Sequence, residues 1–201
     1  MHGKIAHIIM MAGPGVDGGE ILAAQTTAMA KSQGMEDEEL AEDQKQLARL
    51  IEAIREEVPK DDFDKLVEEI IETTKKQQAE KEEKTTDEEF AMLRAGSSQF
   101  TTPWFRYFIS YDPVPALKNA GCPVLSMIGE KDLQVLVDQN KPAIEKALEA
   151  SGNSDYRSIV LEGLNHLFQT CKTGSPMEYQ SIEETFSPKA LSEITDWVLK
   201  H

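Results

Sequence analysis

Basic residues are scarce in this chain. Of its 201 residues, 21 are Lys or Arg and 36 are Asp or Glu, a net charge of −15. A surface of that sign repels phosphate, so nucleic acid and anionic membrane are excluded as expected partners. Cysteine is nearly absent. Cys122 and Cys171 are the two present, and neither sits in a CxxC or Cys/His cluster of the kind that holds zinc. Two ordinary thiols are the plainer reading, one disulfide the alternative. No metal or cofactor is expected. No apolar run approaches the length of a membrane span. The opening MHGKIAHIIMMAGPG turns to glycine too early for a secretory signal, which leaves the cytoplasm as the default expectation.

What is present divides into two kinds of pattern. The apolar run from Ile5 to Met11, closed by Gly13-Pro14-Gly15, predicts a strand buried on both faces, as in a parallel sheet. The Gly-Pro-Gly turn lacks the lysine and helix start of a phosphate-binding loop. From Glu20 to Gly96 the spacing is helical. Leu40, Leu47, Leu50, Ile51 and Ile54 mark one amphipathic helix; Phe63, Leu66, Val67, Ile70 and Ile71 mark a second. Val58-Pro59 breaks the pattern between them, so a hairpin is expected, with Asp61 or Asp62 capping its second helix. Residues 75–89 are almost entirely polar, an expected exposed helix end or loop. Thr86 and Glu89 form a capping-box pattern before a short third helix that Gly96 is expected to end. Thr102-Pro103 starts an aromatic helix carrying Trp104, Phe105, Tyr107 and Phe108.

Beyond it the α/β pattern returns: a strand over Val124–Ile128, a helix from Asn140 to Ala150, a strand over Arg157–Leu161, and a last helix from Ser187-Pro188. The fold class is therefore α/β, with about three parallel strands flanked by helices. Residues 1–19 and 111–201 form its core, and 20–110 a helical insertion. A three-stranded sheet is narrow, and its first strand is very apolar for an edge. The expectation is pairing of that edge, near Ile5–Met11, with another copy in a homodimer or higher oligomer.

Chemistry gathers where the second and third strands end. Gly129-Glu130-Lys131-Asp132 follows one, and Gly163-Leu164-Asn165-His166 follows the other. Functional groups of open parallel sheets sit at such carboxyl ends. A carboxylate beside an imidazole fixes its tautomer and stabilises the imidazolium. Taken singly, Asp132 is a turn or capping residue and His166 a hydrogen-bonded loop histidine; their order on successive strand ends favours an acid–base pair. Trp104, Phe105 and Phe108 are either core or the lining of a substrate pocket, and Arg106 either a surface ion pair or a substrate clamp. His2, His7 and His201 show no ligand spacing.

The stretches PVLSMIGEKDLQV and IVLEGLNHLFQ resemble the acid and histidine segments of the α/β-hydrolase family, and ETFSPKALSEITDWVLKH resembles its last helix. AHIIMMAGPGVDGGEILAAQ and TPWFRYFISYDP are similar to segments of a bacterial branch related to dienelactone hydrolases and prolyl-oligopeptidase-like esterases. The resemblance implies a partial α/β-hydrolase fold with a helical cap, Asp132 as triad acid, His166 as triad base, and a small acyl or ester substrate. It is weakest over residues 36–90. The family's nucleophile elbow, G-x-S-x-G, is absent: Ser97 and Ser98 lie between cap helices, and Ser126 lies inside a strand. The expectation is the C-terminal part of a serine hydrolase, inactive alone. The alternative is a non-catalytic interaction module that uses the acidic hairpin.

Overall fold

The computed structural model describes residues 5–81 and 86–201, with the side chains of residues 39, 77–81, 87 and 89 excepted. The side chain of the proposed capping partner Glu89, the polar residues 82–85 and His2 thus lie outside what is described. The chain forms two compact units, one of residues 1–36 with 112–201 and one of residues 37–111. The boundary falls after the first helix, not at residue 20.

The first unit is an α/β layer. Strands β1 (Ile8–Met11), β2 (Val124–Gly129) and β3 (Tyr156–Leu161) form one parallel sheet in the order β1-β2-β3. Ile8 lies opposite Val124, and Val124 opposite Tyr156. The first strand is shorter than the apolar run predicts, because Ile5 stays exposed before pairing begins. All six residues of β2 are buried. Alternation sends Leu125 and Met127 to one face, where they meet Leu161, Leu164, Phe168, Ala190 and Trp197. Val124 faces the other way, against Leu117, Ile144, Ala147 and Leu148. Each large apolar side chain so buried contributes roughly 1.5–3 kcal/mol.

Helices cover both faces. α1 (Gly18–Ser32) starts on Asp17, whose side chain accepts from the Glu20 amide. The predicted helix ending at Ala150 begins earlier, at Val137, and tolerates Pro142 in its interior; this is α7, the sixth and seventh helical segments being α6 (Val114–Lys118) and α7 (Val137–Ala150) in chain order. The short α6 has no signal in the apolar spacing. α8 (Pro188–Lys200) is capped by Ser187 with proline at its first position, as read from Ser187-Pro188. The Gly13-Pro14-Gly15 turn is tied to α7, for the Gly15 amide donates to the fully buried Asn140 Oδ1 at 2.8 Å.

The second unit holds α2 (Asp37–Arg55), α3 (Lys60–Lys81), α4 (Asp87–Ser97) and α5 (Pro103–Ser110). Leu40, Ile51 and Ile54 of α2 and Phe63, Val67 and Ile71 of α3 are buried, as their spacing requires. Two local expectations are corrected. Asp61 and Asp62 lie within the first turn of α3, which begins at Lys60, so they serve its positive end instead of its cap. Gly96 does not end α4, which runs to Ser97 and continues as a 3-10 turn over Ser98–Thr101. No described helix is long and apolar enough to cross a membrane.

Candidate functional site

The acid turn and the histidine loop are built against each other. As β2 leaves the sheet, the Glu130 amide donates to the Leu161 carbonyl at 2.9 Å and the Lys131 amide to the Leu164 carbonyl at 2.9 Å. The Asp132 amide then closes a turn onto the Gly129 carbonyl at 3.1 Å. The turn fits only because residue 129 is glycine. A Cβ there would overlap the Leu164 carbonyl oxygen, a clash with main chain that no side-chain rotation relieves.

The histidine loop leaves β3 through Gly163, whose φ of +76° suits glycine. Its Leu164 and Thr170 form an antiparallel bridge, and the Asn165 amide donates to the Gln169 carbonyl at 3.0 Å. Between these pins the chain reverses, with Phe168 at a φ of +58°. That conformation is uncommon for a bulky residue and is held here by the burial of the Phe168 ring. His166 sits on this tight reversal.

The two elements bring Asp132 and His166 together. Oδ2 of Asp132 lies 2.9 Å from Nδ1 of His166. Oδ1 accepts from the amides of Gln134 and Val135, each at 2.8 Å. The Asp132 side chain is wholly buried, whereas that of His166 is 26% exposed. Three donors converge on the acid, which satisfies a group that burial would otherwise penalise heavily. A carboxylate oxygen is an acceptor, so Nδ1 must carry the proton in the neutral ring, and the lone pair then lies on Nε2. No described residue hydrogen-bonds that Nε2. The arrangement can take up a proton at Nε2 and stabilise the resulting imidazolium through the carboxylate behind it.

A strap of residues after the loop braces the acid turn from outside. Lys131 Nζ donates to the Lys172 carbonyl at 2.8 Å, and Gly174, at a φ of +81°, packs against the Lys131 carbonyl where no Cβ would fit. Gln134 Nε2 donates to the Tyr179 hydroxyl at 2.8 Å. Burial, against the pull of the Gln134 bond and with the help of Asp132, pushes the Tyr179 phenol above its ordinary value. Glu178 gathers the amides of Lys172, Thr173 and Gly174. Burial opposes its charge, but the Thr173 side chain and these amides hold its carboxyl below the ordinary value.

The other residues named from sequence fall elsewhere. Trp104, Phe105 and Phe108 belong to α5 in the second unit. Trp104 is 69% exposed and stacks on Phe108 at 5.6 Å with planes 2° apart, and Phe105 packs on Phe100 at 4.8 Å. Arg106 is neither of the alternatives read for it: Nη2 donates to the Val58 carbonyl at 2.8 Å and Nε to the Thr101 carbonyl, so it ties down the hairpin turn. Ser97 and Ser98 donate to the Arg94 and Ala95 carbonyls of α4, and Ser126 is buried in β2. Both cysteines are free thiols. Burial, then the Glu178 charge, pushes the Cys171 thiol up and away from the nucleophilic thiolate. Among the described residues no group of three or more His, Cys, Asp or Glu could hold a metal ion. Gln134, Asn165, Gln169 and Tyr179 were not read from sequence as parts of the site. The available signals were the Asn165-His166 pair and the glycine that ends β2.

No family model matches the chain, and no curated protein or solved structure matches it either.

Gly129→Ala is expected to cost at least about 2 kcal/mol, within the range for forcing extra atoms into packed structure. It is also expected to separate the histidine loop from the acid turn. Urea unfolding measures the first effect and a crystal structure of the variant the second. Wild-type stability with the Asp132–His166 bond intact would show that the close approach is not needed.

Proposed function

We propose that Asp132 and His166 are the orienting acid and the general base of a serine-hydrolase triad, in a partial α/β-hydrolase framework that acts on carboxylic esters or related acyl compounds. The observation that carries this reading is the 2.9 Å contact between a fully buried, backbone-anchored carboxylate and the Nδ1 of a partly exposed histidine whose Nε2 no described residue engages. In such a site His166 takes the proton from a nucleophile as it attacks the acyl carbon, then gives it to the leaving group. Asp132 holds the ring in the tautomer that makes this possible. A nucleophile and its oxyanion hole are needed in addition, and the sequence has no G-x-S-x-G element to provide them. Another polypeptide segment must bring both to Nε2.

An interaction module built on the acidic hairpin is the weaker reading. Cations of this unit pair with its carboxylates: Arg49 with Glu69, Lys60 with Asp64, Lys65 with Asp62 and Arg94 with Glu68. That is how an ordinary solvated face behaves.

Assayed with p-nitrophenyl esters, the chain is expected to give no turnover above the buffer rate, and His166→Ala no further loss. Robust turnover abolished by His166→Ala would contradict the need for an added nucleophile.

We also propose self-pairing through β1. The amides of Ile8 and Ala12 point toward β2, donating to the Pro123 and Met127 carbonyls, so alternation turns the main-chain groups of Ile9 and Met11 to the open edge. Residues 5–16 carry no Asp, Glu, Lys or Arg. In a chain of charge −15, this is a place where two copies meet without strong repulsion. Antiparallel pairing about a two-fold axis would join their sheets. Sedimentation at micromolar concentration is expected to show a dimer, and Met11→Lys a monomer. A monodisperse wild-type monomer would rule the pairing out.

A further inference from the structure

We infer that Asn165 is a positioning residue for His166, an assignment that rests on the acid–base reading of the Asp132–His166 pair. Asp132 controls one atom of the imidazole, Nδ1, but the place from which the ring is presented is set by the reversal of residues 164–170. That reversal is organised around one side chain. Asn165 is fully buried. Its Oδ1 accepts from the amides of Leu167 and Gln169, both at 2.9 Å, and its Nδ2 donates to Gln169 Oε1 at 3.0 Å. The Asn165 amide donates in turn to the Gln169 carbonyl at 3.0 Å. The Asn165 and Gln169 side chains are thus both inside the loop, 0% and 8% exposed, and they bind each other and the main chain on either side of His166.

This chemistry suits a constraint on the main chain. The amides of residues 167 and 169 flank the strained Phe168, so neither can find a partner in a regular ladder. An apolar residue at 165 would fill the space but leave both donors without an acceptor. The loop would then relax toward conformations in which water reaches them, and His166 would be carried off the Asp132 line. Asparagine supplies an acceptor for two donors and a donor for Gln169 from a single planar amide.

The experiment compares wild type, Asn165→Ala and Asn165→Asp by NMR of the 15N-labelled chain, with circular dichroism as the check on folding. The readout is the His166 Nδ1 proton, which is observable only while it is shielded by a persistent bond to Asp132. Wild type is expected to show it. Asn165→Ala is expected to remain folded, to lose that resonance, and to exchange the Leu167 and Gln169 amides about tenfold faster, the factor set by losing a hydrogen bond of ordinary net strength. Asn165→Asp keeps the acceptor for both amides, and rotation of the Gln169 amide supplies a donor to its second oxygen. It is expected to restore the resonance. A purely structural role would lower the melting temperature of Asn165→Ala but leave the Nδ1 proton in place, and that result overturns the assignment. Absence of the resonance from the wild type would instead overturn the acid–base reading itself, and the assignment with it. If Asn165→Ala does not fold, hydrogen exchange in the wild type decides. Protected Leu167 and Gln169 amides support the assignment, and amides exchanging as in an unstructured peptide overturn it.

Discussion

Between Gly129 at the end of β2 and the carbonyl of Leu164 in the loop after β3 there is no room for a methyl group. This close approach is the constraint on which the site depends. It lets the main chain of the acid turn bond directly to the exit of the neighbouring strand, through the Glu130 and Lys131 amides. The separation of Asp132 and His166 is thereby set by backbone geometry and not by the reach of two flexible side chains. The central strand carries this geometry because all six of its residues are buried, with apolar layers on both faces. A strand so enclosed has one register, since a slip of one residue would exchange its two faces.

The chain contains a second histidine–carboxylate contact, and the contrast between the two is informative. At the opposite end of β3, Nε2 of His201 lies 3.3 Å from Asp155 Oδ1, while its Nδ1 lies 3.0 Å from the Trp197 carbonyl and its ring rests on the Trp197 indole at 3.9 Å. Both ring nitrogens are occupied, and the Asp155 side chain is 53% exposed. That pair fastens the last residue of the chain to the sheet. In the Asp132–His166 pair the burial is reversed: the acid is enclosed and saturated with donors, and the base keeps one nitrogen unengaged. The same two residue types therefore make a clasp in one place and, in the other, a carboxylate-anchored imidazole with one nitrogen that no described residue engages.

Much of this was legible in the sequence. Turn residues bounding apolar runs locate β2 and β3, and the helical periods of α2, α3 and α8 are clear because each buries a single stripe. Asp132 and His166 could be named because strand ends are where a parallel sheet presents groups. Less legible were features that depend on main-chain contacts across the fold. Nothing in the spacing shows that Gly129 is needed for lack of space and not for a turn, or that Asn165 works within its own loop. Arg106 was read for its charge, yet it serves two carbonyls, a role set by the shape of the hairpin turn. The short β1 and the boundary after α1 were missed because apolar character does not distinguish a paired residue from an exposed one beside it.

On this reading Asp132 is the group that sets the tautomer of His166, and one substitution addresses this directly. In Asp132→Asn the amides of Gln134 and Val135, which meet Oδ1 at 2.8 Å, require an oxygen at that position. The new NH2 group is thereby turned toward His166 and must donate to Nδ1, which leaves the ring proton on Nε2. The 15N chemical shifts of the His166 ring report which nitrogen is protonated. The expected result is the Nδ1–H form in the wild type and the Nε2–H form in Asp132→Asn. The same tautomer in both, in folded protein, would contradict it.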